Sequence, residues 1–260
     1  MAVLALKLGL TPLLIAAASL AARRWGPSVG GWLVALPLTS GPVAFFVALD
    51  RGASFAAGLA LGSLGGLAAI AVFAFAYAAT ARRRAPIAAF ATGAVAFAIG
   101  GLAVQPALDT SIWIVLVIVL VLLGGVVFIL PSGRGVHVRV EYPWWDIPAR
   151  MVVATVLVVG LTTIAPLLGP HVSGVISTFP VYLSVLTVFA HVRVGPAAAV
   201  EVLRGSLVGL FGTAAFFVVV VEGLGVIGVA PAFAAAIAAA VGIQALALRS
   251  IRPPARPEPV

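Results

Sequence analysis

Glu201 and Arg204 are the charged residues best placed to do chemistry inside an apolar segment of this 260-residue chain. Their i,i+3 spacing puts both side chains on one face of a helix, with Arg204 roughly 12 Å in from a helix start at Pro196. Charges at such depth face a cavity or a partner, so Arg204 could hold an anionic group while Glu201 accepts a proton or sets the charge of the site. The alternative is an interfacial pair whose arginine extends to the lipid head groups.

Two prolines 143 residues apart mark a second candidate site within apolar segments. A proline inside a membrane-spanning helix frees a backbone carbonyl group and bends the helix, and nearby hydroxyl groups can satisfy that carbonyl or bind a solute. Bent or broken helices at corresponding positions of a repeat are typical of transport sites, whereas a bend that only improves packing is the structural alternative. The predicted substrate-binding residues are therefore Pro37, Thr39, Ser40, Pro180, Ser184 and Thr187, together with Glu201 and Arg204.

The remaining candidates for chemistry are few. His191 could titrate near neutral pH and gate a pathway, although a solvated loop histidine is the simpler interpretation. His137, His171 and His191 lack metal-ligand spacing, and we find no nucleophile elbow, phosphate-binding loop, zinc-protease helix or dinucleotide fingerprint. We therefore expect no catalytic residue, no metal and no cofactor, and we predict that the protein is not an enzyme.

The composition places the chain in a lipid bilayer. Hydrophobic residues make up 63% of it and charged residues only 8%, which leaves too little polar surface for a soluble globule. The formal charge of +8 does not indicate nucleic-acid binding, because Lys and Arg fall in the short gaps between apolar runs. The absence of cysteine excludes disulfides and thiolate chemistry.

Nine apolar runs are long enough to cross about 30 Å of hydrocarbon as helices. The first is predicted to be a spanning helix and not a signal peptide, because Arg23 and Arg24 follow it. The predicted spans are Leu4–Ala22, Val29–Leu49, Ser54–Ala79, Pro86–Val104, Ile112–Leu130, Ala149–Leu168, Val172–Val192, Ala197–Val221 and Val226–Leu248.

The basic residues predict the orientation of these spans. With nine crossings, only Lys7 and Arg51 fall on one side, and the other Lys and Arg residues all fall on the opposite side. By the positive-inside rule the N-terminus is outside and the C-terminus is cytoplasmic. An even number of spans would remove this asymmetry, so it favours nine.

An internal repeat organises the chain. Residues 26–66 match residues 169–209 at twelve positions, against about four expected from this composition. The shared residues are mainly glycine and proline, including Gly26-Pro27, Pro37 and Gly62-Ser63-Leu64, so a general richness in apolar residues does not explain the match. Basic loops of one copy match loops that are not basic in the other, which predicts that the two copies are inverted in the membrane.

The repeat predicts the architecture of an all-α, polytopic membrane protein with about nine transmembrane helices. Residues 1–110 form the first four-helix repeat, residues 111–148 a linking helix and cytoplasmic loop, residues 149–249 the second, inverted repeat, and residues 250–260 a disordered basic tail. The uniformly apolar fifth span is expected to face lipid. Glycines four residues apart in the third and eighth spans predict close helix packing, with the second, third, seventh and eighth spans forming the core.

The second half resembles the GlpM-like bacterial inner-membrane proteins. The residues that carry the likeness are Asp146-Ile147-Pro148-Ala149-Arg150, Leu168-Gly169-Pro170, Gly174, Phe179-Pro180 and Leu203-Arg204-Gly205. The first half shares it only through the internal repeat. The resemblance implies a bacterial cytoplasmic membrane and an origin by fusion of a dual-topology unit, and it identifies no substrate.

Three hypotheses for function follow. The leading one is a transporter, channel or flippase-like permease for an anionic or amphipathic solute, with its site near Pro37 and Pro180. The second is a non-transporting membrane factor that assists another envelope system, with Pro131 to Arg150 and the tail as docking surfaces. A membrane-embedded enzyme is the third. Expected partners are the lipid bilayer and a small solute or lipid, with a homo-oligomer left open and no nucleic acid.

Overall fold

The structure is a computed structural model of the chain, and every regular element in its described part is an α-helix. It describes residues 27–37, 40–131, 144–149 and 169–248, together with scattered residues between 9 and 25 and between 151 and 156. The helices are α1 (Pro27–Val34), α2 (Ser40–Arg51), α3 (Ala53–Ala81), α4 (Pro86–Leu108), α5 (Ile112–Ile129), α6 (Pro170–Ser177), α7 (Val181–Arg193), α8 (Pro196–Gly223) and α9 (Val229–Leu248).

Six helical stretches of the described part are long and apolar enough to cross a membrane, which confirms the prediction of an all-helical membrane protein. Five of them are α3, α4, α5, α8 and most of α9, and the sixth runs from Pro170 to Arg193 through α6 and α7. Most of the first and sixth predicted spans, the polar loop after Pro131 and the C-terminal tail lie outside the described residues. The count of nine spans therefore stays a prediction.

The second and seventh predicted spans are interrupted rather than continuous with a bend. In the second span, α1 ends at Val34 and α2 begins at Ser40. In the seventh span, α6 ends at Ser177 and α7 begins at Val181. Proline explains the position of each interruption, because Pro37 and Pro180 lack the N–H that would continue the helix and disfavour a helical conformation in the residue before them.

Each of the two long central helices packs against the interrupted helix of the other half of the chain. A Cβ atom added at Gly62 of α3 would overlap the backbone carbonyl oxygen of His171, and one added at Gly205 of α8 would overlap that of Ser28. Gly205 and His171 lie 143 residues after Gly62 and Ser28, so the two contacts are equivalent. The predicted role of these glycines in close packing is confirmed.

The N-terminal ends of α3 and α8 are also equivalent. Gly52 and Gly195 precede these helices with φ angles of 86° and 117°, a conformation that residues with a side chain rarely adopt. Each glycine lets the chain reverse sharply between an interrupted helix and the long helix that follows it.

The remaining helices lie at the periphery of the described part. In α5 the buried residues are Val115, Val119, Leu123 and Val126, which form a single narrow face. Its other faces expose large apolar side chains such as Phe128, 91% exposed. The fifth span is thus peripheral in the described part, as expected of a lipid-facing helix, whereas most of α3 and most of α8 are buried.

Candidate functional site

A cavity of about 70 Å³ lies between the two helix interruptions. Both prolines line it, together with residues of the long helices α3 and α8. Seven pairs of lining residues are related by the 143-residue offset: Val34 and Ser177, Ala35 and Thr178, Leu36 and Phe179, Pro37 and Pro180, Ser40 and Leu183, Leu67 and Leu210, Ile70 and Thr213. The cavity therefore takes equivalent positions from both halves of the chain.

Among the described residues, hydroxyl groups provide the polar part of the cavity lining, and none of the lining side chains is charged. Ser40, Ser177, Thr178, Ser206 and Thr213 contribute aliphatic hydroxyls among otherwise mainly apolar residues. Its volume would hold a few water molecules or one small polar molecule. The arrangement suits a solute that exchanges hydrogen bonds with hydroxyl and backbone groups.

The backbone at the interruptions is held by hydrogen bonds from side chains. Thr213 of α8 donates a hydrogen bond from Oγ1 to the carbonyl oxygen of Ala35, just after α1 ends. On the equivalent side, Thr178 Oγ1 donates locally to the Val175 carbonyl oxygen at 2.7 Å. Carbonyl groups released where a helix stops are thus satisfied by neighbouring threonines, as a low-dielectric environment requires.

A second contact fixes α1 to the last helix. Gln244 of α9 is 1% exposed and donates from Nε2 to the Trp32 carbonyl oxygen at 3.0 Å. Trp32 returns a hydrogen bond from Nε1 to the Gln244 carbonyl oxygen at 3.2 Å. This reciprocal pair attaches the end of α1 nearest the cavity to a peripheral helix.

Three of the predicted site residues line the cavity, namely Pro37, Ser40 and Pro180. Thr39 lies outside the described residues. Ser184 and Thr187 follow the cavity along α7, with exposures of 2% and 0%, and neither hydroxyl has a hydrogen-bond partner in the part of the chain that the structure describes.

The charged pair is not part of this cavity. Glu201 and Arg204 are both partly buried, and neither is among the lining residues. The Nε atom of Arg204 is buried without a hydrogen-bond partner among the described residues. The structure therefore does not bring the two predicted candidate groups, the prolines and the charged pair, into one site.

His191 is buried rather than a solvated loop residue, which corrects the simpler interpretation of the sequence. It lies in the last turn of α7, is 8% exposed, and its Nδ1 atom is 3.1 Å from the hydroxyl oxygen of Tyr77. Tyr77 belongs to α3 and is fully buried. The residues are 114 positions apart, so no local pattern could have paired them.

Asp146 forms an ionic cluster that was not among the sites predicted from the sequence. Its carboxylate is fully buried and lies 2.7 Å from Arg23 Nη2 and 3.9 Å from Arg193 Nε. The Arg193 guanidinium also stacks on the ring of Trp145, 4.8 Å from its centroid. An acidic residue beside two tryptophans in a basic region was the available signal. Trp144 is 87% exposed.

The described residues contain no group of three or more His, Asp or Glu side chains that could hold a metal ion. The chain matches no protein-family model, no curated protein and no solved structure. The resemblance to the GlpM-like proteins thus stays a prediction.

Proposed function

We propose that the protein is a membrane permease, acting as a transporter, channel or flippase, whose solute site is the cavity between the two interrupted helices. The observation that carries this proposal is that both interruptions, at Pro37 and Pro180, border one cavity with equivalent residues on its two sides. Helices broken near the middle of the membrane, at corresponding positions of two repeats, are the arrangement from which many transporters build a substrate site.

Two observations support the inverted relationship of the halves that this function requires. Arg23 precedes α1 and Arg193 ends α7, yet both contact Asp146, so the start of one interrupted helix lies beside the end of the other. His171, near the start of α6, lies 3.7 Å from Asp109 at the end of α4, away from that cluster. Both contacts are those expected if α1–α2 and α6–α7 run in opposite directions.

The lining of the cavity refines the expected solute. The sequence favoured an anionic or amphipathic solute because of Arg204, which does not line the cavity. Serine and threonine hydroxyls donate and accept hydrogen bonds, and the described residues of the lining provide no countercharge. We therefore propose a small, polar, uncharged solute for this site, in a protein of the bacterial cytoplasmic membrane.

Single cysteines test the proposal, because the natural chain has none. Ser40→Cys and Leu183→Cys occupy equivalent cavity positions, with natural exposures of 6% and 3%, and Val119→Cys in the packed face of α5 is a buried control. In vesicles of known orientation, charged methanethiosulfonates should modify both cavity cysteines, each from at least one face, and spare the control. Protection of both cavity cysteines from both faces would contradict a permease.

The assisting-factor hypothesis keeps one supporting observation, the exposed Trp144 in the segment predicted to dock. It predicts a copurifying partner that is lost when the segment from Pro131 to Arg150 is deleted. Such a factor needs no aqueous access to the cavity, so cysteines at Ser40 and Leu183 should not be modified. This result distinguishes the assisting factor from the permease.

A further inference from the structure

Two buried hydroxyl groups on α7 differ in their hydrogen bonding from Ser63 and Thr80 of α3. In the long helices Ser63 and Thr80 donate hydrogen bonds to the carbonyl oxygen four residues earlier, at 2.9 and 2.8 Å. Ser184 and Thr187 find no hydrogen-bond partner among the described residues, although they are 2% and 0% exposed. Buried polar groups are nearly always satisfied, and where the described part of the chain supplies no partner, water is the usual one.

The two hydroxyls belong to one polar face of α7. Ser184, Thr187 and His191 have the i, i+3, i+7 spacing that places side chains along a single side of a helix. The face begins one turn after Pro180, which lines the cavity, and it ends at the contact between His191 and Tyr77. It therefore leads from the cavity to the end of the helix where Arg193 meets Asp146.

The first half of the chain lacks this face. The equivalent positions on α2 are Gly41, Ala44 and Ala48, none of which has a polar side chain. Gly41 lies close to the ring of Phe216, and Ala44 and Ala48 are buried in the apolar core. The repeated fold thus forms without polar side chains at these positions. The polar face of α7 is therefore not explained by the fold that the two halves share.

We propose that Ser184, Thr187 and His191 line a hydrogen-bonding path for water and small polar solutes, and that the Tyr77–His191 hydrogen bond closes its far end. The path rests on the proposed function, because it starts at the cavity. It deepens that function, because the residues that lead the solute from the cavity to one side of the membrane belong only to the second half of the chain. Hydroxyl and imidazole groups in sequence offer a polar solute hydrogen bonds at each step.

The test compares Thr187→Cys with Ala44→Cys, two equivalent positions that are both 0% exposed in the natural chain. Purified protein in proteoliposomes is treated with Ag⁺, a small hydrated thiol-reactive ion, and the thiol left over is counted with a maleimide after denaturation. We expect Ag⁺ to react with the thiol of Thr187→Cys at least about tenfold faster than with that of Ala44→Cys, because an ion does not enter a dry apolar core. Equal rates would overturn the path. Ser184→Cys replaces Thr187→Cys if the latter does not fold.

Tyr77→Phe tests the closure. Removing the hydroxyl should raise the Ag⁺ rate at Thr187→Cys about threefold or more and leave Ala44→Cys unchanged, because only the hydrogen bond to His191 is lost. An equal rise at both cysteines would indicate general loosening and overturn the closure, as would no rise at all.

The methanethiosulfonate labelling of Ser40→Cys separates this proposal from the permease proposal. Modification of Ser40→Cys without Ag⁺ protection at Thr187→Cys overturns the path and leaves the cavity site standing. A lack of methanethiosulfonate modification at Ser40→Cys and Leu183→Cys rejects the permease itself.

Discussion

The backbone of Gly62 lies directly against the carbonyl group of His171, so there is no room for a side chain between α3 and α6. Gly62→Ala should therefore separate the two helices and destabilise the protein by about 1–3 kcal/mol, as overpacking does in well-packed cores. The thermal unfolding midpoint in detergent measures this effect.

Gly124 in α5 provides the matched control, because a Cβ atom added there would meet nothing within 4 Å. Gly124→Ala should leave the midpoint unchanged or raise it slightly, since alanine favours a helix more than glycine does. Equal losses of stability in the two variants would contradict the close contact.

Asp146→Asn should destabilise the protein because two arginines lose their buried carboxylate partner. Arg23 and Arg193 are 28% and 26% exposed and remain partly hydrated, so we expect a loss of about 1–3 kcal/mol rather than the full cost of a broken buried pair. Asp109→Asn is the control, because that carboxylate is 79% exposed and its loss should change stability by less than about 0.5 kcal/mol. Chemical denaturation in micelles compares them, and equal effects would argue against the ionic cluster.

Thr213→Val should weaken the interruption in the first half. The substitution keeps the shape of the side chain but removes the donor to the Ala35 carbonyl oxygen, which then remains unsatisfied at a cost of about 1–3 kcal/mol. Thr92→Val is the comparison, because the Thr92 hydroxyl donates to its own helix at an exposed position. Hydrogen exchange at the Ala35 and Leu36 amides should increase in the first variant only, and unchanged exchange there would contradict the role given to Thr213.

The predicted topology can be tested with three exposed positions in turns. Arg83→Cys should be protected from a membrane-impermeant maleimide added to intact cells, whereas Asp109→Cys and Ile227→Cys should react. Lysed cells, in which all three should react, provide the control. Modification of Arg83→Cys from outside would overturn the assignment of the cytoplasmic face.

The position of the cavity was predictable because proline acts locally. Pro37 and Pro180 could be recognised as interruptions without knowing any partner, and the repeat indicated that they belong together. Whether a helix bends or stops is not local, because the Ala35 carbonyl is satisfied by a threonine 178 residues away. The sequence therefore indicated where the interruptions lie but left their form open.

The buried polar contacts were not predictable for the same reason. Tyr77 and His191 are 114 residues apart, and Arg23 and Asp146 are 123 residues apart, so neither pair leaves a periodic signal. Arg204 was predicted as a site residue because a charged residue inside an apolar run is rare. Its position within the apolar run does not indicate which cavity it faces. In the structure it lies outside the lining of the cavity between the two interrupted helices.

The exchange of partners between the halves has a consequence for how the protein is made. The start of α1 is covered by α8, which is synthesised long after α1 has entered the membrane. Until then the interrupted helix has polar backbone groups without their final neighbours, a costly condition in hydrocarbon. The N-terminal half must accordingly wait in the bilayer or in the insertion machinery, and a nascent chain truncated before α8 should be the form that cellular proteases remove first.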